Sequence, residues 1–217
     1  MGEHSEEMKL AADRFFELVP TLSGMLDIHG YPTFSRYDDP VRLADDAANP
    51  EGSDPFYVLV NAIANQQLSS KAANTILGRL RSACGGVVSR DRIIALGFDG
   101  IRPMGFSGQK TLALVSLANS AKNGDLKLDD LDHMADDEII DMISSQRGLG
   151  RWSAEMFLMF HLGRMDVWPV DDLGVRKGHA KLMGLEEPLK PKQLMVEGER
   201  FRPYRSIAAW YCWAAID

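Results

Sequence analysis

Two adjacent carboxylates, Asp171 and Asp172, follow a proline in the stretch VWPVDDLG. A carboxylate held close to a reacting carbon stabilises positive charge developing there, and it can orient or deprotonate an attacking water. The same acids have a structural use. Aspartate is a preferred N-cap, and Pro169 sets a turn ahead of LGVRKGHAKLMG, so either acid can cap that helix. Both readings hold together if one acid caps while its neighbour faces a cleft. Upstream, QRGLGRWSAEMFLMF places Gly148 and Gly150 between two helical patterns. Both glycines can take positive φ and bring backbone close to another molecule. The amides of such a turn, with the dipole of the following helix, form an anion site. Arg147 and Arg151 flank it and suit a phosphate. A tight helix–helix connection with a glycine C-cap explains the same letters.

The elements that must position these residues are helical nearly throughout, because apolar residues recur at three- and four-residue spacing. One helix is expected from Ser5 to Leu18, followed by a loop in HGYPTFSRYDDP. Asp54-Pro55 reads as an N-cap followed by proline at the first helical position. Ser69 or Ser70 caps KAANTILGRLRSAC, and Ser107 opens GQKTLALVSLANSAK. A short helix at RDRIIAL, a helix at DEIIDMISSQ and three later ones at about 172–183, 191–199 and 203–215 complete about ten helices with no convincing sheet. The expected fold class is all-α.

Composition bounds the rest. The 217 residues are 45% hydrophobic and 25% charged, ordinary for a globular protein. No apolar run approaches the roughly 20 residues of a membrane span. The acidic, amphipathic N-terminus lacks the basic start and apolar core of a signal peptide. Two cysteines, Cys84 and Cys212, are too few for an iron–sulfur cluster held by four thiolates, and the five histidines show no ligand spacing. Both cysteines are expected in the core of a cytoplasmic protein. The net charge of −7 argues at first against a polyanion partner. Residues 1–55 hold twelve acids and four bases, however, so the remainder is close to neutral.

Several stretches in register resemble the helix-hairpin-helix DNA glycosylases, and within them the compact form of the 3-methyladenine DNA glycosylase II branch. They are DPFYVLVNAIANQQLS, SGQKTLAL, GLGRWSAEMFLMF, DVWPVDDLGVRKG and RPYRSIAAWYCW. The resemblance covers about residues 54–217, with residues 1–53 expected as an N-terminal helix and loop packing on that core. It implies a two-lobed helical bundle whose helix-hairpin-helix motif faces a DNA-binding cleft. The implied activity is hydrolysis of the N-glycosidic bond of alkylated purines, 3-methyladenine and 7-methylguanine, in double-stranded DNA during base excision repair.

The resemblance also implies roles. Asp172, the second of the pair, is the catalytic carboxylate, which leaves Asp171 a structural part. The amides of Gly148 and Gly150, with Ser153, hold a phosphate. Carbonyls of Ser144, Gln146 and Leu149 hold a monovalent cation, Na+ or K+. Trp213 matches a pocket aromatic. Gln67 occupies the intercalating position with Leu68 beside it, where longer relatives carry leucine. Ser107 and Lys110 are expected to touch DNA backbone, and Tyr31, Phe34 and Tyr37 to shape the pocket. Bifunctional relatives place a lysine where this chain has Trp152, and an indole cannot form a Schiff base. A ring face does attract a cationic alkylated purine, so Trp152 is expected to line the base pocket. Water is then the nucleophile and an abasic site the product. The expected partner is damaged duplex DNA, with no membrane association and a monomeric chain. A glycosylase for ethenoadenine, uracil or an oxidised purine, or a non-catalytic damage-binding module, fits the same scaffold.

Overall fold

A computed structural model describes residues 3–34 and 54–217. Tyr37 lies outside them, as does the rest of 35–53. Among the described residues every regular element is helical. The α-helices are α1 (Glu3–Leu18), α2 (Gly24–His29), α3 (Pro55–Asn65), α4 (Ser70–Ala83), α5 (Arg90–Ile101) and α6 (Gly108–Asn123). They continue with α7 (Asp136–Ser144), α8 (Arg151–Phe160), α9 (Leu173–Leu182), α10 (Pro191–Gly198) and α11 (Arg205–Ala214). The helix α2 lies between the first expected helix and the expected loop, in a short stretch that carried no assignment. The helix expected at RDRIIAL runs on to Ile101 through a non-helical Gly97 at φ 61°.

By spatial contact the chain divides into two units, Ala44–Phe157 and Met1–Leu43 with Leu158–Asp217. In the first, α3 is the apolar centre: Leu59, Val60, Ile63 and Ala64 are fully buried. Its start is set by Asp54, whose Oδ1 accepts the Phe56 N–H at 3.0 Å, with Pro55 at the first position. Ser69, Ser89 and Ser107 cap α4, α5 and α6 in the same way. Such a cap contributes about 1 kcal/mol each, enough to fix where helices begin but not how they pack. Packing comes from stripes such as Ala113, Leu114, Leu117, Ala118 and Ala121 of α6.

In the second unit α9 and α11 lie in backbone contact. A Cβ at Gly178 would collide with the carbonyl of Cys212, so only glycine fits. The Tyr211 ring stacks on Phe15 of α1 at 6.2 Å, and its hydroxyl donates to the Gly30 carbonyl at 2.9 Å. Phe201 joins this cluster between Phe15 and Trp168. Cys212 and Cys84 are both buried, and burial pushes the Cys212 thiol pKa up, which keeps it protonated.

His179 is buried against Trp168 and Phe201, and neither ring nitrogen has a hydrogen-bond partner. Burial, and then the positive charge of Arg200, lower its pKa, while Glu197 acts weakly the other way. An unfolded chain therefore takes up this proton first as pH falls below the ordinary histidine value of 6.5. Stability should be level above that pH and fall below it. In urea melts compared at about pH 7.5 and about pH 5.5, His179→Leu should lose less stability than the parent protein, and an equal loss would contradict this origin.

Candidate active site

The turn Trp168–Asp172 delivers the two acids differently. Asp172 sits in extended backbone (φ −70°, ψ 121°) directly before α9, and its Oδ1 accepts the Val175 N–H at 2.8 Å. Asp172 is therefore the N-cap, and Asp171 is exposed and does not cap. This corrects the division expected from sequence, in which Asp171 was the structural member. The register decides it: the helix begins at Leu173, so Asp172 is the residue directly before it, within reach of the Val175 amide.

The same Oδ1 accepts the indole Nε1–H of Trp213 at 2.9 Å. Two donors thus hold one oxygen of a half-buried carboxylate. Trp213 continues into an aromatic row, with ring centroids 5.9 Å from Phe160 to Trp213 and 5.9 Å from Phe34 to Phe160. Tyr31 takes no part in that row; its hydroxyl donates to Asp13 Oδ1 at 3.1 Å. The segment leading to the acids is pinned to the start of α11. The Arg205 guanidinium donates to both Asp166 carboxylate oxygens and to its backbone carbonyl, at 2.6, 3.0 and 2.7 Å. Ser206 Oγ donates to the Arg164 carbonyl at 2.7 Å and accepts the Val167 N–H at 2.9 Å. Trp168 Nε1 donates to the Leu194 carbonyl at 2.8 Å.

The glycine hairpin belongs to the 44–157 unit. Only Gly148 of the pair has positive φ, at 83°. Gly150 instead opens α8, its carbonyl accepting the Ala154 N–H at 3.1 Å. A Cβ at Gly148 would stand 2.7 Å from Ala113 Cβ, so the hairpin is pressed against α6. Gly150 meets nothing within 4 Å, and that side is open. Amides of a helix's first turn have no acceptor within the helix, so the Gly150–Ser153 end of α8 presents donors and the positive end of a dipole. Arg147 reaches Gln109 Oε1 at 3.0 Å, and Arg151 is tied to the buried Glu155 at 2.9 Å. Trp152, in the first turn of α8, is 51% exposed.

The carbonyls expected to hold a cation are neutral oxygens at the C-terminal end of α7 and in the turn beyond it. Gln146 O accepts the Leu149 N–H at 3.1 Å and keeps a second lone pair. Neutral oxygens at the negative end of a helix dipole are a donor set that fits an alkali cation.

The loop between α3 and α4 carries Gln67, the one non-glycine with positive φ (54°) among the described residues. Such backbone costs an L-residue about 1–2 kcal/mol. Gln67 and Leu68 are both exposed, so Leu68 is not a core residue. Lys110, expected on DNA backbone, is turned into the protein: its Nζ donates to the carbonyls of Ala64 and Gln66 at 2.8 and 2.6 Å. The end of α3 needs a donor for its last carbonyls, and a long cationic chain from α6 supplies it. Ser107 is the cap of α6, accepting the Lys110 N–H at 3.3 Å.

Residues 60–203 match the family described as HhH-GPD superfamily base excision DNA repair protein. The chain belongs to that superfamily. It is 35% identical to DNA-3-methyladenine glycosylase 1 of Schizosaccharomyces pombe, over 75% of this chain and 73% of that one. A crystal structure of a DNA-3-methyladenine glycosidase from Bacillus halodurans is 28% identical, with TM-score 0.79 over 94% of this chain and 88% of that chain. The 3-methyladenine DNA glycosylase of S. pombe, solved with abasic DNA, superposes with TM-score 0.63 at 35% identity, over 73% of this chain and 79% of that chain.

Within this HhH-GPD chain several site-building residues escaped sequence reasoning. Gly174 and Gly178 stand four apart on α9; a Cβ on Gly174 would meet Trp213 Cδ1 at 2.7 Å and Asp172 Oδ1 at 3.0 Å. Two glycines at helical spacing cost helix propensity, and that cost was the available signal of a close approach. Phe160, Arg205 and Ser206 carried no comparable sign, because their partners are distant in sequence. No helix among the described residues is long and apolar enough to cross a membrane.

The capping geometry separates the two acids by stability. In denaturant melts, Asp172→Ala should cost about 1 kcal/mol through the lost cap, and Asp171→Ala should stay within about 0.5 kcal/mol of the parent. The reverse order would contradict the assignment.

Proposed function

We propose that this chain, acting as a single copy, hydrolyses the N-glycosidic bond of 3-methyladenine and 7-methylguanine in double-stranded DNA. The observation that carries the reading is the Asp172 carboxylate, fixed by the Val175 amide and the Trp213 indole at 2.8 and 2.9 Å. Alkylation at N3 or N7 leaves the purine cationic, so it departs as a neutral base once the C1′–N bond breaks. Positive charge then collects on the sugar. A carboxylate that is already oriented stabilises that charge without reorganising in the transition state. Water adds its oxygen to C1′, and Asp172 directs it and receives its proton or passes it to solvent.

The product of this step is an abasic site, the kind of DNA held by the S. pombe neighbour. Trp152 supplies no amine, which favours water as nucleophile and leaves the strand uncut. The exposed indole of Trp152 suits a flat cationic base, and so, in the other unit, does the ring row ending in Trp213. Gly148, Gly150 and Ser153 would seat a phosphate on amides and helix dipole. A monovalent cation on the carbonyls of Ser144, Gln146 and Leu149 would add positive charge beside that phosphate. Gln67 and Leu68 would fill the space vacated by the flipped nucleotide.

Asp172→Asn tests the reading cleanly. Asparagine caps a helix as well as aspartate does and keeps an oxygen for the Trp213 indole, so the fold should survive while the charge is lost. In single-turnover assays on methylated duplex, release of 3-methyladenine should fall by about 10²-fold or more, with affinity for abasic duplex retained. Release at the parent rate would overturn the role of Asp172.

A further inference from the structure

The loop that carries Gln67 and the hairpin that carries Gly148 are far apart in sequence, yet they are joined by side chains the proposed reaction does not use. Gln66 Nε2 donates to the Gly148 carbonyl at 2.7 Å. Lys110 Nζ holds the carbonyl of the same Gln66, and that of Ala64, from below. The hairpin in turn rests on α6, through Arg147 on Gln109 beside that lysine and through Gly148 against Ala113 about one turn on. Residues 109, 110 and 113 share one face of α6, because positions three and four apart are neighbours on a helix. One helix face therefore supports both the hairpin and the loop.

We propose that Lys110 and Gln66 are positioning residues that brace the Gln67–Leu68 wedge against the phosphate-binding hairpin, so that strand capture and insertion occur at one fixed spacing. The inference rests on the proposed action on duplex DNA and deepens it. Inserting a side chain into a duplex requires unstacking bases, and the loop that delivers it is pushed back with equal force. A short exposed loop between two helix ends has little resistance of its own. Here the backbone immediately before the wedge is held twice, by an ammonium on its carbonyls and by an amide on the hairpin. The left-handed backbone of Gln67 is the conformation that this brace maintains, and held strain of this kind gathers at working positions. Burial lowers the Lys110 pKa, because the amine has lost part of its solvent.

The test separates insertion from both binding and chemistry. A duplex carrying a stable abasic analogue, with 2-aminopurine beside it, reports insertion by fluorescence without any bond being cleaved. Undamaged duplex of the same length reports backbone binding and its salt dependence. Lys110→Met and Gln66→Met should each reduce the insertion signal at saturating protein by at least about five-fold while binding undamaged duplex with the parent salt slope. Combining them should add little beyond the larger single effect, since both act through one brace. Lys110→Arg, which keeps donors on a long chain, should restore part of the signal. An unchanged insertion signal in Gln66→Met, an exchange at a half-buried position with little consequence for folding, would overturn the proposal. Equal loss of insertion and of undamaged-duplex binding would overturn it too, because that pattern marks a general structural role. If the parent protein inserts normally yet frees no base from methylated duplex, the proposed reaction fails while the brace stands.

Discussion

The candidate site depends on one shared acceptor, Asp172 Oδ1, which takes hydrogen bonds from the amide of its own helix and from the indole of another. That arrangement requires α9 and α11 to approach until a backbone carbonyl fills the place of a side chain. Gly178 permits the approach, and Gly174 leaves room for the Trp213 ring beside the carboxylate. A larger residue at Gly178 would collide with the Cys212 backbone, and one at Gly174 with the Trp213 ring and the carboxylate itself. The Asp166–Arg205 pair and Ser206 fix the incoming loop to the start of the same α11. Both ends of the α11 contact thus act on the orientation of one carboxylate.

The hairpin follows a different logic. The net charge is −7, and two of the cations nearest the hairpin and loop are already engaged, Arg151 with Glu155 and Lys110 with two carbonyls. A phosphate seat here would rest on backbone amides and a helix dipole more than on lysines and arginines. Those groups are directional and short in range, so they would fix where a strand sits without giving strong attraction at a distance. An acidic chain of this family can therefore combine a weak overall field with a well-placed grip.

The all-helical class, the helix starts at Asp54, Ser69 and Ser107, and the turn of the glycine hairpin were legible because each rests on local chemistry: a side-chain oxygen, a fixed proline φ, a missing Cβ. The membership in the HhH-GPD superfamily was legible for the same reason, since its motifs are runs of neighbours. What was misread involved contacts between residues far apart. Asp171 and Asp172 look alike in sequence, and only the frame of α9 decides which one caps it. Lys110 looks like a surface cation for DNA until α3 is seen to end beneath it. Gly148 and Gly150 look equivalent, but one is pressed against Ala113 and the other starts a helix. The pairing of Gln66 with Gly148 joins positions no local pattern connects.

The central claim is that a fixed carboxylate directs water to an anomeric carbon while no amine of the chain attacks it. Incubating the protein with methylated duplex DNA, identifying freed bases by chromatography and sizing the strands before and after alkali tests this most directly. The account predicts release of 3-methyladenine and 7-methylguanine, with strands that stay intact until alkali breaks them at abasic sites. Strands cut without alkali, or no freed base under conditions where the duplex is bound, would contradict it.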